Sequence, residues 1–334
     1  MQAGSIVVLG TGGTIAGRSI DALDNIGYTA AQLGIESLTA SVPGLGEAKL
    51  LLTEQVSQID SKDMGFAVWR LLAQRVTHFL ARDEVKGLVI THGTDTLEET
   101  AFFVSLVCRP VKPVVLTCAM RPASSLQADG PQNLRDAVCV ARWPGAGGVV
   151  VVCAGRIHAA RDVQKVHPYR LDAFDSGDAG VIGHVEEGRL RLMREWPFDK
   201  QGRAQVAPES IAAESLAQSL PDPAHWPRVE IVMNYAGADG RLVEALVAQG
   251  VRGLVVAGTG NGSLHVDLEQ ALLSPQAAGV RVVRASRCVA GQVLAKAGDK
   301  LPDSAGLTPV KARIALLLEL MQKDRDGDQS ADVS

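Results

Sequence analysis

No basic stripe runs through this sequence. Its formal net charge is −4 and its charged residues, 21% of the total, are interspersed, so it offers no cationic surface to grip a phosphate backbone and no nucleic-acid partner is expected. Long apolar runs are also missing. Stretches such as Gly148 to Ala154 are far too short to span a bilayer, so no membrane association is expected. The five cysteines, Cys108, Cys118, Cys139, Cys153 and Cys288, include no CxxC pair and are odd in number. That argues against a disulfide framework or a thiolate metal site and for buried free thiols in a reducing compartment. With the first strand-like run, Ile6 to Leu9, reached almost at once, no targeting segment is expected in the sequence as given. The expected location is therefore the cytoplasm, or the periplasm if a signal peptide has been removed.

What is present is enough apolar residue, 46% of 334, for two buried cores. Ile6 to Leu9, Gly87 to Ile90, Val114 to Cys118 and Val149 to Cys153 are β-branched runs that suit strands covered on both faces. Met64 to Leu80 carries Met64, Val68, Leu71, Leu72, Val76, Phe79 and Leu80 near helical spacing, and Leu97 to Val107 reads as a second helix. Strands alternating with helices predict a parallel α/β sheet. Prolines at 197, 208, 221, 223 and 227 punctuate an Ala- and Ser-rich stretch. Beyond it, Val229 to Met233, Gly253 to Ala257 and Val280 to Val283 repeat the strand pattern, and Val310 to Met321 suits a closing helix. The expected organisation is a larger N-terminal α/β domain over 1–204, with a parallel sheet flanked by helices, a linker over 205–226, and a smaller C-terminal α/β domain over 227–334. The polar end from Asp324 to Ser334 is expected to fray. Its aspartates imitate a calcium loop, but Gly327 is misplaced and the closing glutamate is absent.

Two loops carry the residues for chemistry. The first strand runs into Gly10-Thr11-Gly12-Gly13-Thr14-Ile15-Ala16-Gly17, whose glycines allow a sharp turn and close backbone approach to a ligand. From Gly12 the segment nearly matches a phosphate loop, but Arg18 stands where that motif needs lysine. The second loop, Thr91-His92-Gly93-Thr94-Asp95-Thr96, leads into Leu97-Glu98-Glu99 and a helix, whose N-terminus favours developing negative charge. Taken alone, Asp95 or Thr96 could equally do no more than cap that helix. A threonine hydroxyl needs a neighbouring base to become a nucleophile. The residues available to help are Tyr28, just beyond the first loop, and Lys165, which Asp95 could orient.

Together these loops resemble the two signature segments of the bacterial-type L-asparaginases, closer to their type II pattern: Thr11-Gly12-Gly13-Thr14-Ile15-Ala16-Gly17 and Thr91-His92-Gly93-Thr94-Asp95-Thr96-Leu97-Glu98-Glu99. Similar segments extend across nearly the whole chain: Ser61-Lys62-Asp63-Met64, Ala119-Met120-Arg121-Pro122, Ala128-Asp129-Gly130-Pro131, Arg161-Asp162-Val163, Asn234-Tyr235-Ala236 and Gly258-Thr259-Gly260-Asn261-Gly262. The resemblance implies an amidohydrolase that converts L-asparagine to L-aspartate and ammonia through a threonine acyl-enzyme, with minor glutaminase activity as a secondary expectation. It implies Thr14 as nucleophile, Tyr28 as the lid tyrosine that adjusts its proton, and Thr94, Lys165 and Asp95 as a second hydroxyl-amine-carboxylate set. Ser61 and Asp95 would hold the substrate's α-substituents, with the backbones of Gly13 and Thr94 close by and Lys62 and Ser263 at the edge. No metal or organic cofactor is implied. A homotetramer of intimate dimers is, with an edge of one subunit completing its neighbour's site.

Two departures bear on specificity. Lys62 stands where many relatives carry glutamine or glutamate near the substrate's ammonium, so it must point away or weaken amino-acid affinity. No acidic residue between Arg287 and Pro309 matches the family's inter-subunit glutamate well; Asp299 and Asp303 are the candidates. The preference for asparagine over glutamine therefore stays open. The alternatives are a non-catalytic amino-acid-binding or regulatory module, and an amidase of different specificity such as a transfer-RNA amidotransferase subunit. The lack of a basic patch counts against the latter.

Overall fold

The computed structural model describes residues 4–45, 51–197 and 216–331. These fall into two compact units, one built from 4–197 with 216–220 and the other from 221–331. Of the expected linker, 205–215 lies outside the described residues, while Leu216 hangs from the first unit through its N–H to the Val107 carbonyl at 2.8 Å.

The first unit runs β1 (Ser5–Gly12), α1 (Ile35–Ala40), β2 (Leu51–Ile59), α2 (Phe66–Leu80), β3 (Val85–Thr91), α3 (Leu97–Cys108), β4 (Val114–Thr117), α4 (Gly130–Ala141) and β5 (Val149–Cys153). The short strands β6 (Arg156–Ala159), β7 (Gln164–Lys165), β8 (Phe174–Asp175), β9 (Gly183–Glu186) and β10 (Arg189–Leu192) follow. Its main sheet has the order β10-β9-β6-β5-β4-β3-β1-β2. β2, β1, β3, β4 and β5 are parallel, as the strand–helix alternation predicts. β6, β9 and β10 extend the sheet antiparallel, an addition the sequence pattern did not reveal because these strands are four residues long.

Strand composition follows from the coverage. Ile6, Val8, Val89, Val115, Val150 and Val152 pack with α1 and α4 residues such as Ile35, Leu38, Leu134 and Val138. The alternate residues, including Val7, Leu9, Leu88, Ile90 and Val151, are equally buried, with α2 against β3 and α3 against β5. Each such side chain withdrawn from water contributes about 1.5–3 kcal/mol. The α2 face is rotated from the one expected: Leu71 is exposed, and Trp69 is buried instead. The Trp69 indole stacks on Phe103 at 4.7 Å between centroids and donates to Thr100 Oγ1 at 2.9 Å.

The second unit holds β11 (Val229–Met233), α5 (Arg241–Ala248), β12 (Gly253–Gly258), α6 (Val266–Ala277), β13 (Arg281–Ser286) and α7 (Pro309–Ala331) around a parallel three-stranded sheet. The terminal segment expected to fray from Asp324 instead continues α7 to Ala331. Lys323 pairs with Glu319 one turn back at 3.1 Å, and Asp324 pairs with Arg252 at 2.8 Å. Among the described residues no helix is long and apolar enough to cross a membrane. All five cysteines are free; Cys108, Cys118 and Cys153 are buried, but Cys288 is exposed.

Two buried histidines set an acid limit on stability. Burial pushes His92 and His158 from 6.5 down to about 4, so both are neutral in the native fold while the unfolded chain protonates them near the ordinary value. Below about pH 6.5 the unfolded state therefore binds more protons. Stability is expected to fall progressively to about pH 4, by about 3 kcal/mol for each histidine, and then to lose nothing further from this source. Urea midpoints measured between those limits should show the loss, and His158→Gln should flatten its share of the slope.

Candidate active site

The strand order decides where the chemistry can be. With β1 placed between β2 and β3, the β1–β2 and β2–β3 connections run in opposite directions across the sheet. The crevice at the carboxyl ends of β1 and β3 is the topological switch point where open α/β sheets bind ligands. The two glycine- and threonine-rich loops are the ones that leave these strands. Thr11 Oγ1 ties them at the base by donating to the Thr91 carbonyl at 2.9 Å.

Beyond that tie the loops touch backbone to backbone. Gly13 has φ 81°, and a Cβ there would run into the Cα and N of Gly93. A Cβ on Gly93 would in turn overlap the Ser61 side chain. Only glycine allows this approach, and its consequence is that Thr14 and Thr94 leave from adjoining backbones.

Thr14 opens a single 3-10 turn at the end of β1 and is buried. Its Oγ1 lies 2.6 Å from the Tyr28 hydroxyl. Tyr28 is brought back by a narrow hairpin whose stem is the reciprocal backbone pair Arg18–Thr29, at 2.9 and 2.8 Å. Asp24 organises the hairpin's turn by accepting from the N–H groups of Ile26 and Gly27. Burial raises the Tyr28 phenol above its ordinary value, and Asp60 and Asp95 add to the shift, against the opposing hydrogen bond with Thr14. The phenol is thus a neutral hydroxyl at pH 7, able to donate to or accept from Thr14.

The second cluster joins three elements. Lys165 Nζ donates to Thr94 Oγ1 at 2.8 Å and pairs with Asp95 Oδ1 at 2.6 Å, while Thr94 Oγ1 reaches the same carboxylate oxygen at 3.4 Å. Ser61, at the turn after β2, accepts from the Asp95 N–H through its Oγ at 3.2 Å and from Thr96 Oγ1 through its carbonyl at 2.7 Å. Helix capping is therefore not what Asp95 and Thr96 do. No side chain caps α3; both residues turn toward their neighbours in the crevice. The preceding His92 is buried and neutral, with Nδ1 2.7 Å from the Gly93 carbonyl.

Lys62 points away along the surface, its ammonium 2.5 Å from Asp60 Oδ2 and 3.8 Å from Asp63. Ser263 belongs to the second unit, where its backbone forms a reciprocal pair with Thr259 at 2.9 and 2.8 Å. Asp299, one of the two candidate inter-subunit acids, pairs with Arg284 at 2.5 Å, and Asp303 accepts from the Ala305 N–H at 2.7 Å.

Motif reading did not single out Asp129. Its carboxylate accepts from the N–H groups of Met120 and Arg121 and from the Asn133 amide, fixing the turn after β4. Arg121 then stacks on the Tyr169 ring at 4.1 Å and donates to its carbonyl at 2.8 Å, on the turn that follows Lys165. An aspartate just before Gly130-Pro131 at a helix start was the available signal.

A family profile described as "Asparaginase, N-terminal" matches residues 5–198, and one described as "Glutaminase/Asparaginase C-terminal domain" matches 228–332. L-asparaginase 2 of Bacillus subtilis (strain 168) is 36% identical over 321 residues, covering 95% of this chain and 82% of that protein. L-asparaginase 2 of Escherichia coli (strain K12) is 37% identical over 325 residues, covering 95% and 89%. A crystal structure of a probable cytoplasmic L-asparaginase from Campylobacter jejuni superposes with a TM-score of 0.86 at 36% identity, covering 95% of each chain. With both family domains matched in order along a fold whose switch point gathers the signature threonines, the chain belongs to the asparaginase family.

Proposed function

We propose that this protein is an L-asparaginase that hydrolyses L-asparagine to L-aspartate and ammonia. The observation that carries the proposal is the pair of hydroxyl clusters, Thr14–Tyr28 and Thr94–Lys165–Asp95, in one crevice. Thr14 Oγ1 attacks the side-chain carboxamide and passes its proton to the Tyr28 oxygen as Tyr28 hands its own hydroxyl proton on to the amide nitrogen, which can then leave as ammonia. Backbone N–H groups of the two touching loops meet the oxyanion. Ammonia leaves, and an aspartyl ester remains on Thr14. The Thr94 hydroxyl, which accepts from Lys165 and faces Asp95, serves the water that cleaves this ester. Ser61 Oγ and the Asp95 carboxylate hold the α-carboxylate and α-ammonium.

Ammonia release from L-asparagine and L-glutamine, measured side by side, tests the proposal and ranks the two amides. No release from either would remove it in favour of a binding module or an amidase of another specificity. Tyr28→Phe is expected to lower kcat about a hundredfold with little change in KM, since the phenyl ring keeps the packing and loses only the proton relay. Because the Tyr28 phenol is raised, any alkaline limb it causes in the wild-type pH–rate profile lies above pH 10 and is absent in the variant.

The working form is proposed to be a homotetramer, with Ser263 contributed at the edge of a site. Exposed apolar side chains in the second unit, Met233, Tyr235, Leu242 and Val266, supply surface that such assembly would cover. Sedimentation equilibrium measures it. Three buried free thiols favour the cytoplasm.

A further inference from the structure

On the sheet face covered by α1 and α4 lies a cavity of about 460 Å³, a size suited to a small organic ligand. Its apolar walls come from Ile15, Leu38, Val42 and Leu134, all buried, and from the half-buried Leu33. Thr14, Tyr28, Ser61, Thr94, Asp95 and Lys165 do not line it, so it is distinct from the crevice, although Ile15 directly follows Thr14.

The polar part of the lining consists of uncommitted donors. Arg18 is the one ionic side chain that lines the cavity, and its guanidinium has no hydrogen-bond or ion-pair partner among the described residues. Ser124 Oγ accepts from the Ser19 N–H at 2.8 Å, which leaves the Ser124 hydroxyl proton to be given elsewhere. The Ser19 hydroxyl likewise has no partner among the described residues. An unpaired cation and two hydroxyls beside apolar walls are complementary to a ligand with one negative charge and an apolar body. A second charge on such a ligand would have to be buried against leucines.

These donors also belong to the hairpin that carries Tyr28. Arg18 forms its stem with Thr29. The hairpin is tied down on the 123–125 turn where the Ala123 N–H donates to the Gly17 carbonyl at 2.9 Å, Ser19 donates to Ser124, and Ser125 Oγ donates to Asn25 Oδ1 at 2.6 Å. A carboxylate held by Arg18 and Ser124 together would add a charge-assisted tie across the same gap.

We propose that this cavity is a second ligand site, for a monocarboxylate with an apolar chain, whose carboxylate bridges Arg18 and Ser124 and braces the hairpin in the position that sets Tyr28 on Thr14.

Octanoate is the probe, titrated calorimetrically into the full chain. One site per chain with a Kd of about 1 mM is expected. Butyrate, four methylenes shorter, binds at least about tenfold more weakly. Arg18 is exposed, so Arg18→Gln keeps the fold and weakens octanoate about tenfold, and Arg18→Lys recovers most of that loss. Hydrogen exchange at the Arg18 and Thr29 amides slows by about tenfold at about 10 mM octanoate, because opening the hairpin must release the ligand. An Arg18→Gln affinity within about twofold of wild type overturns the proposal, as does no binding at about 10 mM. Binding that leaves the hairpin amides exchanging at their free rate overturns it too, as does displacement of octanoate by L-aspartate, which would put the carboxylate in the crevice. None of these readouts uses turnover, so they stand or fall apart from the ammonia assay.

Discussion

Thr14→Ala is expected to reduce kcat for L-asparagine by about four orders of magnitude, the scale seen when a covalent nucleophile is removed from a site whose binding groups remain. Ser61, Asp95 and the touching glycine backbones do not depend on the Thr14 hydroxyl for their placement: the Gly13 N–H is held by the Ile59 carbonyl at 2.8 Å, and Ser61 by the Asp95 N–H and Thr96. Asparagine binding should therefore survive, and calorimetric titration of the inactive variant should give an affinity close to the wild-type value. Thr14→Ser restores a hydroxyl within reach of Tyr28 and should recover part of the rate. A Thr14→Ala protein with rates near wild type would transfer the nucleophile's role elsewhere, with Thr94 the next hydroxyl in line.

Lys165→Met is the second large effect. Lys165 contacts Asp95 at 2.6 Å and Thr94 at 2.8 Å, and its side chain is only 18% exposed. The variant leaves Asp95 without its cation and Thr94 Oγ1 without its donor. Losing both should lower kcat about a thousandfold, within the range for a positioned acid–base group. The two variants should also fail at different steps. With Thr14 intact, Lys165→Met can still form the aspartyl ester and then cannot hydrolyse it, so acid quenching after mixing with asparagine should trap an adduct on the Thr14 peptide by mass spectrometry. Thr14→Ala should trap none. An adduct found on Thr94 would reverse the proposed order of the clusters.

Much of the fold was legible because parallel strands covered on both faces must be continuously apolar. β1, β3, β4, β5 and β12 are each visible as β-branched runs for that reason. β2 is not, since as an edge strand it alternates half-buried and exposed residues and carries Glu54, Gln55 and Gln58. The register of α2 was misjudged because Leu71 and Trp69 are both apolar, and only packing on Phe103 chooses between them. The polar end of α7 reads as a tail from sequence because local composition does not disclose an ion pair across 72 residues, between Asp324 and Arg252.

By itself the sequence determined the alternation of strands and helices, the glycines where loops must pass closely, the hydroxyl-rich segments and, through their ordered recurrence, the family. These are local properties of backbone freedom and side-chain chemistry. Only the tertiary structure decided that β1 lies between β2 and β3, since strand order is a property of packing and not of neighbours in the chain. From that order follow the touching of the Gly13 and Gly93 backbones and the closure of Lys165 on Thr94 and Asp95, 71 and 70 residues away. Such contacts between residues distant in sequence arise from the compact fold, whose burial of the intervening strands brings their loops to one edge.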